Sequence, residues 1–497
     1  MKKLKKIVSI LLTAIMVLAM CVPVMAATNI TINGGGTGST YVAYKLLNVT
    51  DGGSGKFSYT VNAKYSSVLQ TETGKTDDAE IVAYIAGLSG SDVQDFADDV
   101  YKAITTEGIA EDATTTTNTF SGIEQGYYLI AETVTSEGTE YSLVMLDTAG
   151  NDNITVNTKE GLPSFEKKIK EKNDTTGYVS EWQDGADYDL GDNVPFKLTG
   201  TVSAKYDSYD TYYYAFHDQM SAGLSFNPTS VEVKVDGTVV NSGYEVVTTG
   251  LSDACTFEVR FANLKDIASV HANSTITVEY NARLNENSVI GSVGNPNQAR
   301  LEYSNNPYGN GTGKTAWDKV IAFTYQLVVN KVDSDTNPLD GAGFTLSKWV
   351  NGAWQAVGSE ITGVTTFNFQ RVDAGKYKLE ETTVPAGYNK AADLIFTVDA
   401  TYDIDADDPK FGIGSSLVLK DEDNNIISKT TTESGDPELF TVDINAGSAT
   451  TNVVNQAGTE LPSTGGIGTT IFYVVGVTLM LGAGVLLVTK KRMNANH

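Results

Sequence analysis

The stretch Gly375–Tyr388, "GKYKLEETTVPAGY", has the alternation of a β-strand with one face toward a core. Tyr377, Leu379 and Glu381 share that face, and the residues between them are charged. An ionised, unpaired carboxylate in a core costs several kcal/mol. The pattern therefore predicts a buried Glu381 with a specific reason to be there.

The same pattern recurs at five other polar residues, each on an otherwise apolar strand face. Lys167 lies in "SFEKKIK", Asp218 in "YYYAFHDQM" and Asn297 in "NQARLEY". The last part of the chain repeats the set of residue types with Lys331, Glu381 and Asn455. Each part thus presents one lysine, one acid and one asparagine toward a core.

Two interpretations of these residues stay open from periodicity alone. They are polar residues at strand ends or in ordinary buried hydrogen bonds, or they react with one another. Burial favours a neutral amine and a protonated acid. A neutral lysine can attack the asparagine side-chain carbonyl while the acid stabilises the oxyanion. Ammonia then leaves, and a Lys–Asn isopeptide bond remains.

Both ends of the chain are targeting segments. Residues 1–26 combine basic residues, an apolar run and a small-residue site, which predicts a secretory signal cut after Ala26. Near the other end, an uncharged run, Ile467–Thr489, is long enough for a membrane helix and precedes a basic tail. The motif before that run consists of Leu461, Pro462, Ser463, Thr464 and Gly465.

The order of LPxTG motif, apolar helix and basic tail resembles the cell-wall sorting signal of Gram-positive surface proteins. The resemblance implies that a sortase cuts between Thr464 and Gly465 and passes the Thr464 carboxyl group to an amine. The mature protein is then secreted and anchored to the cell wall.

Composition excludes several classes of function. The formal net charge of −26 argues against a nucleic-acid partner. Only Cys255 survives signal removal, so no internal disulfide is expected, and the thiol is interpreted as a small buried hydrophobe. The three histidines show no metal-ligand spacing, and "DSDTN" from Asp333 lacks the glycine and glutamate of a calcium loop. No metal and no cofactor are predicted.

The fold is predicted to be mostly β, with one amphipathic helix around residues 91–104. Two distant stretches, Phe120–Thr133 and Phe369–Thr382, align without a gap, which indicates two copies of one β-sandwich type. The predicted segments are a signal peptide, an N-terminal domain, a middle domain, a C-terminal domain and a sorting signal, at residues 1–26, 27–160, 161–324, 325–457 and 458–497.

The chain resembles the backbone pilins of sortase-assembled Gram-positive pili. The resemblance rests on "VVNKVDSDTNPLDGAGFTL" from Val328, "YKLEETTVPAGY" from Tyr377, "VVNQ" from Val453 and the sorting signal. It implies tandem immunoglobulin-like sandwiches, with a fimbrial isopeptide-forming middle domain and a collagen-adhesin B-type C-terminal domain. It also implies two autocatalytic isopeptide bonds, Lys331 to Asn455 with Glu381 as the acid, and Lys167 to Asn297 with Asp218 as the acid.

The resemblance predicts a structural shaft subunit and not an enzyme. Its implied partners are a pilin-specific sortase, further copies of itself, minor pilins, peptidoglycan and host surface ligands. Lys159, in "ITVNTKEGLP", lies where such pilins carry the lysine that accepts Thr464 of the next subunit, but Asn157-Thr158 replaces the usual Tyr-Pro. The alternatives are a solvated linker lysine and, for the whole chain, a monomeric wall-anchored adhesin. A secreted hydrolase is disfavoured, because no carboxylate pair lies in a recognisable catalytic motif.

The first domain is expected to have no crosslink of its own. Glu132 copies the position of Glu381, but Gly34 stands where the last domain has Lys331. Two internal bonds are therefore predicted rather than three.

Overall fold

The structure is a computed structural model, and it describes residues 27–33, 38–134, 140–157, 161–251, 253–405, 409, 411, 415–431, 439–458 and 467–494. These residues are mostly β and form three sandwiches followed by a C-terminal helix.

The first sandwich contains eight strands: β1 (Ala27–Asn33), β2 (Thr40–Asp51), β3 (Phe57–Val61), β4 (Ala113–Thr115), β5 (Thr119–Glu124), β6 (Gly126–Val134), β7 (Leu143–Asp147) and β8 (Asn153–Asn157). Strand order is β5-β1-β8 in one sheet and β3-β2-β6-β7 in the other, with β4 beside β2. The first and last strands, β1 and β8, pair in parallel. Alternate residues such as Ile30 and Ile32 fill the core between the sheets.

Three helices cover the outer face of the β2–β6 sheet: α1 (Ser66–Thr73), α2 (Asp78–Gly87) and α3 (Ser91–Glu107). Helix α3 confirms the predicted amphipathic segment and buries Phe96, Val100 and Ile104. Gly108, in the left-handed conformation, ends it. The prediction of a single helix was incomplete, because α1 and α2 are too short to show strong periodicity.

The second sandwich contains thirteen strands: β9 (Phe165–Ile169), β10 (Gly185–Asp187), β11 (Asn193–Thr201), β12 (Tyr214–Met220), β13 (Leu224–Phe226), β14 (Glu232–Val235), β15 (Thr238–Val240), β16 (Glu245–Val247), β17 (Phe257–Phe261), β18 (Thr275–Leu284), β19 (Asn295–Ser304), β20 (Thr312–Lys314) and β21 (Asp318–Phe323). One sheet has the order β10-β21-β19-β12-β17-β16, and the other has the order β15-β14-β18-β11-β9. The core between them is rich in tyrosine and phenylalanine.

The third sandwich contains eleven strands: β22 (Tyr325–Val332), β23 (Gly343–Val350), β24 (Ala353–Ala356), β25 (Ile361–Thr362), β26 (Thr366–Val372), β27 (Gly375–Thr383), β28 (Leu394–Thr401), β29 (Ser416–Lys420), β30 (Ser428–Thr430), β31 (Phe440–Asp443) and β32 (Ser448–Val454). Its sheets have the orders β26-β22-β32-β31-β30 and β24-β23-β27-β28-β29.

The internal repeat has a structural basis. The arrangement β5-β1-β8 of the first sandwich matches β26-β22-β32 of the third, and in both the first and last strands pair in parallel. The aligned stretches fall on β5–β6 and β26–β27. Even a side-chain pair repeats, because Asn33 bonds Asn157 as Asn330 bonds Asn452.

The C-terminal helix, α4 (Ile467–Asn494), is separate from the sandwiches. Its segment Ile471–Lys491 is long and apolar enough to cross a membrane, and none of that segment is buried in the structure. An exposed apolar helix of this length is typical of a lipid-spanning segment.

A cluster of tyrosines joins the first two sandwiches. The Tyr308 ring packs edge-on against Tyr101 and Tyr141, with centroids 4.7 and 5.4 Å away. The Tyr141 hydroxyl donates to Asp98 at 2.6 Å, and Lys205 donates to the Tyr141 carbonyl at 2.5 Å.

The second and third sandwiches meet at a shorter joint. Only Thr324 lies between β21 and β22, and it is buried. The backbones approach so closely that a Cβ on Gly447 would lie 2.5 Å from the Cα of Gly291.

An ion cluster around Lys348 crosses this joint. The Lys348 ammonium lies 2.6 Å from Asp189 of the second sandwich and 2.5 Å from Asp373 of the third. Burial alone would lower the pKa of Lys348, but Asp373 and Asp189 raise it well above its usual value. The lysine is thus a buried cation that binds the two sandwiches to each other.

Replacing Lys348 by Met is expected to destabilise the protein by about 3–5 kcal/mol, because it leaves Asp373 and Asp189 without their cation. Lys376→Met is the matched control, since Lys376 forms a more exposed ion pair with Glu422, whose loss costs about 0–1 kcal/mol. Chemical unfolding of the mature chain measures both. Equal effects of the two substitutions would contradict the assigned role of Lys348.

Candidate functional site

The second sandwich brings Lys167, Asp218 and Asn297 together in its core. Lys167 projects from β9 in one sheet, whereas Asp218 on β12 and Asn297 on β19 lie on neighbouring strands of the other. All three side chains are fully buried. The alternation within each strand therefore places the three polar groups between the sheets, as the sequence predicts.

Tyr280, on β18, is a fourth member of this group. The Lys167 ammonium donates to Asp218 at 2.5 Å and to the Tyr280 hydroxyl at 2.7 Å. That hydroxyl donates to the same Asp218 oxygen at 2.6 Å and accepts from the Asn297 amide at 3.0 Å. Tyr280 therefore links all three predicted residues.

The buried location changes the proton affinities of the group. Burial lowers the pKa of Lys167, and Asp218 offsets part of that effect. Burial raises the pKa of Asp218, while Lys167 and Tyr280 act in the opposite direction. Within the part of the chain that the structure describes, one oxygen of Asp218 and the amide oxygen of Asn297 have no hydrogen-bond partner. Two buried acceptors without donors indicate that the neutral, protonated acid suits this site better than the carboxylate.

The third sandwich brings together Lys331, Glu381 and Asn455. Lys331 lies on β22 and Asn455 directly follows β32, the parallel neighbour of β22, so both belong to one sheet. Glu381 lies on β27 of the facing sheet. The three residues are at most 2% exposed. Glu381 is therefore buried, as its strand pattern predicts.

In this second group the lysine lies farther from the acid than it does in the second sandwich. The Lys331 ammonium lies 3.8 Å from Glu381 and donates to the Val453 carbonyl at 3.0 Å. Asn455 donates to Glu381 at 2.8 Å, and its own amide oxygen has no hydrogen-bond partner among the described residues. Burial lowers the pKa of Lys331, while Glu381 acts in the opposite direction.

The neighbours of these residues face outward. Lys168 pairs with Asp184, and Glu380 pairs with Lys378 and Lys390 at the surface. Asn452 is exposed. The alternation along each strand therefore places one residue in the core and a nearby residue of the same type on the outer face.

Several predicted positions lie outside the described residues. They are Gly34, Lys159 and the sorting motif of Leu461, Pro462, Ser463, Thr464 and Gly465. In the described part of the first sandwich, Glu132 is buried and accepts a hydrogen bond from Ser39 at 2.5 Å.

Cys255 differs from its predicted environment. It is half-buried rather than packed in a core, and its thiol donates to Asp253 at 2.9 Å. Burial and the neighbouring Asp253 raise the pKa of the thiol well above its usual value, which disfavours a reactive thiolate. Sequence spacing could not show that His217 lies beside it, because His217 is on β12 and Cys255 is in the turn before β17.

Three family profiles match parts of the chain. The Gram-positive pilin backbone subunit 2, Cna-B-like domain, matches residues 190–307. The SpaA prealbumin-like fold domain matches residues 325–410, and the LPXTG cell wall anchor motif matches residues 453–495.

Two relatives resemble the chain over most of its length. The trypsin-resistant surface T6 protein of Streptococcus pyogenes serotype M6 is 27% identical, over 93% of this chain and 94% of that protein. The structure of the T6 backbone pilin of serotype M6 Streptococcus pyogenes is 19% identical, covers 87% of this chain and 99% of that one, and superimposes with a TM-score of 0.52. The chain therefore carries the pilin-family domains of a Gram-positive backbone pilin, with an LPXTG cell-wall anchor at its C-terminal end.

Proposed function

We propose that this chain is the shaft subunit of a covalent surface pilus. A sortase cuts each copy between Thr464 and Gly465 and joins the Thr464 carboxyl group to the Lys159 amine of the next copy. The observation that carries the proposal is the location of the two Lys–acid–Asn groups. Each lies in one of the two sandwiches that separate Lys159 from Thr464 in the chain.

In the second sandwich, Lys167 and Asn297 form an isopeptide bond with Asp218 as the acid. The 2.5 Å contact lets the Lys167 ammonium pass a proton to Asp218, which produces the neutral amine. Nζ of Lys167 then attacks Cγ of Asn297, and the protonated acid stabilises the developing oxyanion. The Cγ–Nδ2 bond breaks, the leaving nitrogen takes the proton that the amine loses, and one ammonia departs.

The third sandwich supports the same chemistry with Lys331, Asn455 and Glu381. The Asn455 amide already faces Glu381 at 2.8 Å. If the side-chain amide of Asn455 flips, its oxygen rather than its nitrogen faces Glu381, and a protonated Glu381 donates a hydrogen bond to that oxygen. The product is a neutral amide, so neither a lysine nor an acid needs to remain charged in the core.

The bonds suit a protein under tension. Lys159 precedes the second sandwich, and Thr464 follows the third, so a pulling force passes through these two sandwiches and not through the first. The proposed domains, residues 27–160, 161–324 and 325–457, then divide into one lateral domain and two in the load path. A monomeric wall-anchored adhesin remains the alternative, because it would use the same domains and anchor.

The proposed partners follow from this assembly. They are a pilin-specific sortase, neighbouring copies, minor pilins and peptidoglycan as the final acceptor, with host surface ligands for the exposed domains.

Intact-mass measurement of a recombinant 27–464 protein is expected to give a mass lower than the sequence value by two ammonia molecules. Asp218→Ala and Glu381→Ala should each retain one of those molecules. Each should also lose stability, because a covalent tie that closes a loop of about 130 residues contributes roughly 5 kcal/mol in the chain-entropy estimate. Glu132→Ala is the control and should change the mass only by the substitution. A loss of three ammonia molecules, or of none, would contradict the proposed count.

Tyr280→Phe is expected to slow bond formation in the second sandwich by roughly 100-fold, the lower end of the range for a group that assists proton transfer, because Asp218 and Asn297 lose their shared hydroxyl partner. The ring still packs in the core. Tyr214→Phe is the control, since the Tyr214 hydroxyl bonds the Thr201 carbonyl instead. The fraction of uncrosslinked protein, followed by mass after purification, measures the rate. Equal rates for the two variants would exclude Tyr280 from the reaction.

Lys159→Ala, expressed with the pilin sortase, is expected to abolish the high-molecular-weight ladder in denatured wall extracts. Lys172→Ala is the control, because that exposed lysine lies just beyond β9 and should not be needed. A ladder of full strength from Lys159→Ala would transfer the linkage to another lysine. Wild-type protein that is wall-bound but never forms a ladder would favour the monomeric adhesin.

A further inference from the structure

A second polar cluster lies on the outer face of the strand that carries Asp218. His217, the preceding residue on β12, points away from the core and toward Glu258 on the paired strand β17. The turn before β17 brings Asp253 and Cys255 to the same ring. The ligand atoms of His217, Asp253 and Cys255 all lie within 4.8 Å of one another.

The spacing of these atoms fits a tetrahedral metal ion. Zinc bonds of about 2.0 Å to nitrogen and oxygen, and about 2.3 Å to sulfur, place neighbouring ligands roughly 3.3–3.5 Å apart. Nδ1 of His217 lies 3.3 Å from Asp253, 3.4 Å from Glu258 and 3.9 Å from the Cys255 sulfur. The shorter contact from the thiol to Asp253 is a hydrogen bond, which opens when the thiol proton leaves.

A carboxylate lies beside the second ring nitrogen of His217. Nε2 lies 2.9 Å from a Glu302 oxygen, an ion-pair distance, while Nδ1 is on the side of the ring that faces Asp253 and Cys255. Histidines that bind metals commonly have such a carboxylate on the other nitrogen. The acidic residues are themselves fixed, since Arg300 bonds Asp253 at 2.8 Å and Arg260 bonds Glu258 at 2.5 Å.

We propose that His217, Asp253 and Cys255 form a zinc site, with Glu258 as the nearest candidate for a fourth ligand. Sulfur and imidazole ligands select zinc over calcium or magnesium, which take oxygen ligands. Burial and Asp253 make the thiol of the metal-free protein hold its proton strongly, with a raised pKa, but a coordinating metal ion deprotonates a thiol outright, so binding is balanced by release of that proton. Because Cys255 is half-buried, the ion enters from solvent. The metal fixes the turn before β17 to β12.

Cobalt titration of the mature 27–464 protein, with any purification tag removed, tests the site. Wild type is expected to bind one Co²⁺ per chain, with a sulfur-to-cobalt charge-transfer band and the intense visible bands of tetrahedral cobalt. Zinc should displace it. Cys255→Ser should abolish the charge-transfer band. Glu302→Gln should keep the band but weaken binding by about 10–100-fold, as expected for loss of a partner behind a metal ligand.

His271→Gln is the matched control, because His271 is exposed and lies outside the cluster. It should bind cobalt as wild type does. The rate at which a thiol reagent modifies Cys255 gives an independent readout and should fall when zinc is added. A wild-type protein without the charge-transfer band, or with unchanged thiol reactivity in zinc, would overturn the proposal and leave His217 as a ring paired only with acids. The same band in Cys255→Ser would also overturn it.

Discussion

A lysine ammonium buried away from water needs a partner, and this constraint applies to the three lysines that are buried in the described parts of the last two sandwiches, Lys167, Lys331 and Lys348. Lys348 meets it with two carboxylates at 2.6 Å or less and stays charged. Lys167 has one short contact to an acid, and Lys331 has an acid at 3.8 Å. Each of the latter two also has an asparagine within its group. The number of acids around each lysine therefore distinguishes the ion cluster at the joint, where Lys348 stays charged, from the two groups that are suited to amide formation.

The two joints between the three sandwiches are built differently. The second and third are joined by one buried residue, Thr324, and by the ion cluster around Lys348. The first contacts the second through tyrosine rings and a few hydrogen bonds, and it carries a layer of helices on its outer face. If Lys159 accepts Thr464 as proposed, the first sandwich lies outside the path of tension and has less need of a covalent tie, which is consistent with Gly34 in place of a lysine.

The burial of the six residues in the two Lys–acid–Asn groups could be predicted from the sequence, because a two-residue period fixes the face of each side chain. The period does not reveal which strands are neighbours. From the sequence, Tyr280 cannot be distinguished from the other core tyrosines, because its proximity to Asp218 depends on β18 and β12 facing each other. Lys348 follows Phe344 and Leu346 just as Lys331 follows Leu327 and Val329, so the strand pattern does not distinguish these two lysines. The pairing of His217 with Glu258 depends on strand register, which spacing along the chain cannot supply. The short helices α1 and α2 were missed for a related reason, since packing on the sheet stabilises them more than their own pattern does.

The parallel pairing of β22 with β32 sets Lys331 at the beginning of the third sandwich and Asn455 at its end. If the proposed amide joins them, the polypeptide between these two residues becomes a side loop of the covalent chain. A protease that cuts within that loop would then open the loop but leave the ends connected. A pilus built in the proposed way would therefore accumulate nicks in this domain without being severed, and after digestion it would keep its length while losing parts of its surface.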